Sequence, residues 1–388
     1  MKDIVAALDE RIPRPNDFTS PARGTRTAAR LGILLGSCVG ICFLTGLWSH
    51  FQYGSPGWLP IGPDPWWLYR VTQGLHVATG TAAIPLVLVK LWSVYPRLFR
   101  RPRKGGIRSL GVDGLERASV GLLVAAVLFQ LVTGSLNVVQ WYPWSFSFRA
   151  THEAVAFVAI GALLTHLAVK LPLVRIALRN TVDDRLSLAS DGPSRRSVLL
   201  GAGSASALAV LLTVGQTVPF LRRVSVFGVR DGDGPQDLPV NRTARAAGAI
   251  DGATDPGFAL ELRHGDRVVR LTRAQLAALP QRTHRLPITC VEGWSRSATW
   301  TGVAVRDLLA MVGADAASVV RVRSMQTRGA FSSSELPADF AADPRTLLAL
   351  QLNGEKLSLD HGFPCRIIAP NRPGVLQTKW VTSLEVTA

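Results

Sequence analysis

Hydrophobic and polar positions divide this chain near residue 220. Before that point, apolar residues come in runs of about 20, each long enough to cross the hydrocarbon core of a bilayer as a helix. Five such spans are expected, at about 27–48, 66–92, 115–139, 148–171 and 198–218. Gly36, Gly40, Gly134 and Gly161 lie inside them and suit close helix packing in lipid. Beyond residue 220 the runs shorten and alternate. Residues 258–262 and 268–271 read as strands. Residues 272–279 read as a short helix capped by Thr272, and 305–312 as a second helix. Residues 319–322, 349–352, 366–369 and 382–386 are further strands. The pattern predicts a membrane α-helical bundle followed by a soluble α+β domain.

Composition changes the picture only after this split. The chain has 388 residues, 47% of them hydrophobic, and a net charge of +16; its mean hydropathy is +0.22. A basic balance can mean nucleic acid, but no nucleic-acid motif accompanies it. The basic residues flank the apolar runs instead. Arg97, Arg100, Arg101, Arg103, Lys104, Arg108 and Arg117 lie between the second and third spans. Arg175, Arg179, Arg185, Arg195 and Arg196 lie between the fourth and fifth. The other connections carry Arg70 and Arg149. Basic loops face the cytoplasm, so the N-terminus is expected inside and everything after the fifth span outside. Trp58, Trp66, Trp67, Trp141 and Trp144 then form an outer aromatic belt. A transporter is disfavoured, because no inverted repeat is visible.

Histidines within lipid are costly and read as functional. His152 and His166 are 14 residues apart, nearly four turns, so they share a face about 21 Å apart along the axis. His76 is nearer the level of His152 and pairs with it as axial ligands of an outer haem b. His166 is either a ligand of a second haem with an unidentified partner or a packed histidine. His50 stands at the interface, and Lys90 reads as a snorkelling lysine. This arrangement, over about 27–175, resembles the four-helix b-type cytochrome subunits of formate dehydrogenases and hydrogenases.

Four cysteines, Cys38, Cys42, Cys290 and Cys365, imply no disulfide framework. Cys38, Cys42 and Cys365 read as packing residues. Cys290 is different. It sits in 288–295, reading ITCVEGWS, followed by Trp300-Thr-Gly-Val, then DHGFPCRIIAP over 360–370 and Lys379-Trp380-Val381. Together these resemble the molybdopterin-binding domain of the sulfite oxidase family, including the bacterial methionine sulfoxide reductase catalytic subunits, over about 240–386. The resemblance implies a molybdenum–thiolate bond at Cys290, a soft anionic donor suited to such a metal. It implies cofactor contacts at His361, Arg366, Gln377, Thr378 and Lys379, with Ser324 and Asn241 as further carry-overs. Arg366 follows an apolar stretch, where an unpaired guanidinium is expensive and a phosphate would satisfy it bidentately. All four tyrosines, Tyr53, Tyr69, Tyr95 and Tyr142, fall in the apolar half. The C-terminal domain then has none, which argues against direct sulfite oxidation. Arg296, Arg323 and Arg328 read either as the lining of an anion pocket or as surface residues.

The residues before the fifth span, SRRSVLL over 194–200, resemble a twin-arginine export signal, although a positive-inside pair has the same appearance. That route moves folded, cofactor-loaded proteins. The expected division is a cytoplasmic tail (1–26), a four-span cytochrome b-like domain (27–175), a cytoplasmic loop with an uncleaved fifth span (176–219), a linker (220–240) and a sulfite oxidase-like molybdopterin domain (241–388). The function expected is that of a multi-pass enzyme of a bacterial plasma membrane. It would pass electrons between a quinone pool, one haem b or two, and an outer Mo-molybdopterin centre acting on a small sulfur- or nitrogen-oxide substrate. The other reading is a haem conduit whose outer domain binds a partner without catalysis.

Overall fold

The structure, a computed structural model, describes residues 20–96, 107–179, 192–228, 234–328 and 331–387. The tail over 1–19, Arg97, Arg100, Arg101, Arg103, Lys104, Arg185, the side chain of Arg108 and residues 231–233 of the expected linker lie outside the described residues. The apolar runs form helices α1 (Thr25–Phe51), α2 (Leu68–Val94), α3 (Ile107–Val138), α4 (Phe148–Arg179) and α5 (Arg195–Val214). All five are long and apolar enough to cross a membrane. The last ends earlier than hydropathy predicts. Gly215 lies where a Cβ would strike the Leu221 carbonyl, its N–H donates to Ser225 Oγ, and the chain turns through 215–228 despite its apolar character.

The chain forms two compact units, Met1–Leu44 with His76–Thr213, and Thr45–Leu75 with Val214–Ala388. In the first unit, small and hydroxylated residues let helices approach. Ser206 donates to the Ala82 carbonyl at 2.9 Å, Thr213 to Thr81 at 3.4 Å, and Ala83 and Ala202 are buried. Phe43 and Phe157 meet edge to face at 5.5 Å. Pro85 lies inside α2 and Pro172 inside α4, as membrane helices tolerate.

The second unit carries two sheets. One orders β2 (Arg267–Thr272), β1 (Ala259–His264), β10 (Val381–Thr387), β5 (Val319–Ser324) and β6 (Ser333–Leu336). Here β1 and β10 are parallel and the other pairs antiparallel. The other sheet orders β3 (Arg282–Thr289), β4 (Ser295–Ala304), β7 (Leu347–Leu352) and β8 (Glu355–Lys356), with β9 (Arg366–Ile368) also paired to β7. Short helices complete it: α6 (Ala244–Ala247), α7 (Ile250–Thr254), α8 (Arg273–Ala278), α9 (Val305–Met311) and α10 (Ala338–Ala342). Helix α8 begins at the expected Thr272 with a full capping box to Gln275. Strands β3 and β4 are not visible as alternation, because their inner positions include Thr289, Ser295 and Arg296, all buried. The stretch read as linker is structured at its far end: Leu238 is buried, and Gln236 donates to the Lys356 carbonyl at 2.9 Å.

Gly302 marks a register shift where β4 crosses β7. A Cβ there would lie 2.1 Å from the Leu348 carbonyl oxygen and 2.6 Å from the Ala349 Cα, both backbone atoms. Gly302→Ala is therefore expected to cost at least the roughly 1–3 kcal/mol of core overpacking, read as a lower melting temperature of the purified protein; an unchanged melting temperature would contradict this packing.

Candidate functional site

Cys290 opens the five-residue turn between β3 and β4. Thr289 and Ser295 close its base as a strand pair, with their hydroxyls 2.9 Å apart. Within the turn Cys290 N–H donates to the Trp294 carbonyl at 2.9 Å, and Gly293 N–H to the Cys290 carbonyl at 3.0 Å. Gly293 has φ 95, a conformation that favours glycine. Trp294 is buried, and its indole donates to Glu292 at 3.0 Å. Cys290 itself is 1% exposed. Burial holds its thiol well above the ordinary range, and Glu292 adds to this while Lys379 opposes it. Such a thiol is inert until a metal displaces its proton.

A buried cationic cluster lies with it. Arg366 donates from Nη1 to the His361 carbonyl and from Nη2 to the Gln377 carbonyl, both at 3.1 Å. Its guanidinium is 5.2 Å from the Trp300 ring centroid. Lys379 donates to the carbonyls of Arg242 and Asp360, each at 2.8 Å. His361 donates from Nε2 to the Pro235 carbonyl at 2.8 Å. Burial lowers all three: Arg366 to about 9, Lys379 to about 7 with Arg366 adding to the shift, and His361 to about 4, again with Arg366 adding. Gly362 permits the crowding. Its φ is 105, and a Cβ would lie 3.0 Å from Lys379 Cβ and 3.2 Å from Arg366 Cβ. Ser324 donates to the Lys379 carbonyl at 2.7 Å, Thr378 pairs with Ser334 at 2.6 Å, and Asn241 is half-buried beside Arg242.

The residues expected to hold an anionic, polar cofactor are thus brought together, and two buried atoms among them lack partners: Arg366 Nε and Gln377 Oε1. Arg366 has five N–H donors and meets carbonyl oxygens rather than a carboxylate. A donor and an acceptor left open beside uncompensated cations fit a phosphate and a pterin edge. The residues present therefore fit the molybdopterin group.

Several residues of the site escape a sequence reading. Arg372 is buried, with Nε donating to the Leu376 carbonyl at 3.3 Å. Arg296, open between surface and pocket in the sequence, is buried and donates to the Gln216 carbonyl at 3.0 Å. Arg323 and Arg328 are exposed, Arg323 paired with Glu385 at 3.2 Å. The expectation that the domain has no tyrosine needs correction. Residues 45–75 belong to the same unit, and they bring fully buried Tyr69 within electrostatic reach of Cys290. Asn371 at φ 53 accepts from Tyr69 N–H at 2.8 Å and donates to the Gly62 carbonyl at 2.9 Å. Asp64 takes a bidentate bond from Arg345 at 3.0 and 2.7 Å. No sequence periodicity signals these long-range pairings.

In the first unit, the rings of His76 and His152 stand 6.4 Å apart between centroids. His76 Nδ1 donates to the Cys42 carbonyl at 3.0 Å. His152 Nδ1 lies 3.1 Å from Thr133 Oγ1, whose own proton goes to the Phe129 carbonyl. A carbonyl accepts, so His76 carries a proton on Nδ1 in this contact, and Nδ1 of His152 is engaged by a hydroxyl in the same way. Two nitrogens at roughly 2 Å from one ion are compatible with this ring spacing. His166 has Lys90, Lys170 and Glu116 as electrostatic neighbours.

Residues 251–388 match the family model described as the oxidoreductase molybdopterin binding domain. The chain is 33% identical over 117 residues to a protein named putative protein-methionine-sulfoxide reductase subunit YedZ1 of Azospira oryzae, covering 30% of this chain and 43% of that one. It is 29% identical over 154 residues to mitochondrial sulfite oxidase of Drosophila melanogaster, covering 33% and 27%. It is 30% identical over 124 residues to the uncharacterized oxidoreductase YuiH of Bacillus subtilis, covering 31% and 61%. The chain thus spans less than half the length of the first two. The fold is five apolar helices followed by an α+β domain, and that domain is of the sulfite oxidase-like, molybdopterin-binding oxidoreductase type.

Lys379 gives a pH test. Its folded value near 7 lies below the roughly 10.4 of an unfolded lysine. Between those values the unfolded chain holds a proton that the folded one does not, so stability rises with pH through the window and is level below it. The melting temperature of cofactor-free protein is expected to rise from pH 7 towards 10, with a smaller rise in Lys379→Met. An identical slope in the variant would refute the assignment.

Proposed function

We propose that this chain is a membrane-anchored molybdenum oxidoreductase in which Cys290 ligates the metal of a molybdopterin. Arg366, Lys379 and His361 bind the cofactor's anionic and polar groups, with Asn241, Ser324, Gln377 and Thr378 completing its contacts. The observation that carries this reading is the burial of Cys290 with three cationic or titratable side chains, none of them in an ion pair with a carboxylate among the described residues, beside Arg366 Nε and Gln377 Oε1, which have no hydrogen-bond partner among those residues. The bound metal supplies oxygen-atom transfer with a two-electron change, chemistry that no side chain provides. The protein's own part is to exclude water, compensate the cofactor's charge and hold the thiolate.

His76 and His152 hold one haem b, with Cys42 and Thr133 fixing their tautomers. His166 belongs to a polar group with Lys90, Lys170 and Glu116 rather than to a second haem. A haem held there would supply one-electron transfer between a membrane quinol and the molybdenum centre. The favoured direction is reduction of a small sulfoxide or N-oxide, which consumes two electrons and two protons and releases water. The basic connections support a reading in which the N-terminus lies in the cytoplasm of a bacterium and the cofactor domain outside the plasma membrane. Arg195 and Arg196 act as the export signal of a cofactor-loaded domain.

Metal and haem analysis of detergent-purified protein tests this. About one molybdenum and one haem per chain are expected. Cys290→Ser should abolish turnover and leave the haem spectrum intact, whereas His152→Ala should remove the haem and keep the molybdenum. Haem without molybdenum, from a host that makes the cofactor, would overturn the assignment.

A further inference from the structure

The turn that carries Cys290 is fastened from outside the matched domain. Its outward polar groups fall on alternate residues. The Val291 carbonyl accepts from Gln73 Nε2 at 3.2 Å. The Gly293 carbonyl accepts from Thr217 Oγ1 at 2.7 Å. Ser295 N–H donates to the Gln216 carbonyl at 3.0 Å, and Arg296 Nη1 donates to the same oxygen at 3.0 Å. Gln73 lies in the second turn of α2, and Gln216 and Thr217 follow the end of α5. All three sit in the same compact unit as Cys290, yet none is among residues 251–388.

These fasteners are themselves fixed. Thr217 packs on Gly74 so closely that a Cβ there would lie 2.9 Å from Thr217 Cγ2. Arg70 Nη2 donates to the Thr217 carbonyl at 2.9 Å. Gln73, Gln216 and Thr217 are buried, so the bonds they make are shielded from water, which strengthens them. The side-chain amide of Gln216 is buried and has no partner on either its oxygen or its nitrogen. The chain therefore presents, beside the metal-ligand turn, a donor and an acceptor that it does not itself satisfy, as a site built for a bound polar group does.

We infer that Gln73, Gln216 and Thr217 are positioning residues of the molybdenum centre: the ends of the two apolar helices set the conformation of the Cys290 turn. The inference rests on Cys290 as the ligand, but its test needs no metal. A hydroxyl or amide that locks a turn controls how often the turn opens, and opening exposes the thiol.

The test uses full-length, detergent-purified protein from a host that cannot make the cofactor, labelled with iodoacetamide and read by peptide mass spectrometry at each cysteine. Cys365, also fully buried in this unit, reports general unfolding. Thr217→Val keeps the shape and removes the hydroxyl, and Gln73→Leu removes the amide. Each is expected to raise the Cys290 labelling rate on the order of tenfold, the effect of losing one buried hydrogen bond, with Cys365 unchanged. Thr217→Ser retains the donor and should label as wild type. Unchanged Cys290 labelling in the Thr217→Val, Gln73→Leu double variant overturns the inference, as does an equal rise at Cys365 or failure of Thr217→Ser to restore protection. Absence of molybdenum from protein made in a competent host would instead overturn the functional reading and leave this result standing.

Discussion

Cationic side chains buried without carboxylates impose the main constraint on the second unit. Removing a guanidinium and an ammonium from water is expensive, and here the backbone offsets it with four carbonyl oxygens, those of His361 and Gln377 for Arg366 and of Arg242 and Asp360 for Lys379. Those carbonyls can converge only if the chain doubles back tightly at 359–362, which is why Gly362 stands at positive φ against the Cβ atoms of both cations. Two buried indoles, Trp300 and Trp380, each remove roughly 150–250 Å² from water and lie against the cations, 5.2 Å from the Arg366 guanidinium and 5.1 Å from Lys379 Nζ. The result is a buried cationic cluster whose members burial holds below their ordinary ranges.

A thiol in the same environment is a consequence of the same burial. Desolvation holds the Cys290 thiol well above its ordinary range and Glu292 reinforces this, which leaves the thiol unreactive. The hairpin supplies the cysteine, but the outer edge of its turn is bonded by residues beginning and ending apolar helices. In this unit the helix ends pack into the same compact body as the sheets, held also by Asn371 and by the Arg345–Asp64 pair.

In the first unit the equivalent constraint is tautomeric. Lipid-embedded imidazoles must satisfy one nitrogen within the protein, and the Cys42 carbonyl and the Thr133 hydroxyl do so for His76 and His152. The two rings stand 6.4 Å apart between centroids.

The sequence by itself determined the elements whose signal is local. Runs of about 20 apolar residues can only be helices in lipid, because every backbone polar group must be satisfied within its own segment. Thr272 and Gln275 cap α8 by their spacing alone, and the Cys290, His361, Arg366 and Lys379 motifs were legible as short patterns. Tertiary structure decided what depends on distance along the chain. Strands β3 and β4 escaped notice because burial of Thr289, Ser295 and Arg296 erases alternation. The fifth apolar run stops at Val214 because Gly215 meets the Leu221 carbonyl. Tyr69, Gln73, Gln216 and Thr217 looked like membrane-helix residues and were folded into the domain that carries Cys290. A hydrogen bond between residues 73 and 291 leaves no periodicity and no motif at either end, so only the folded chain can reveal it.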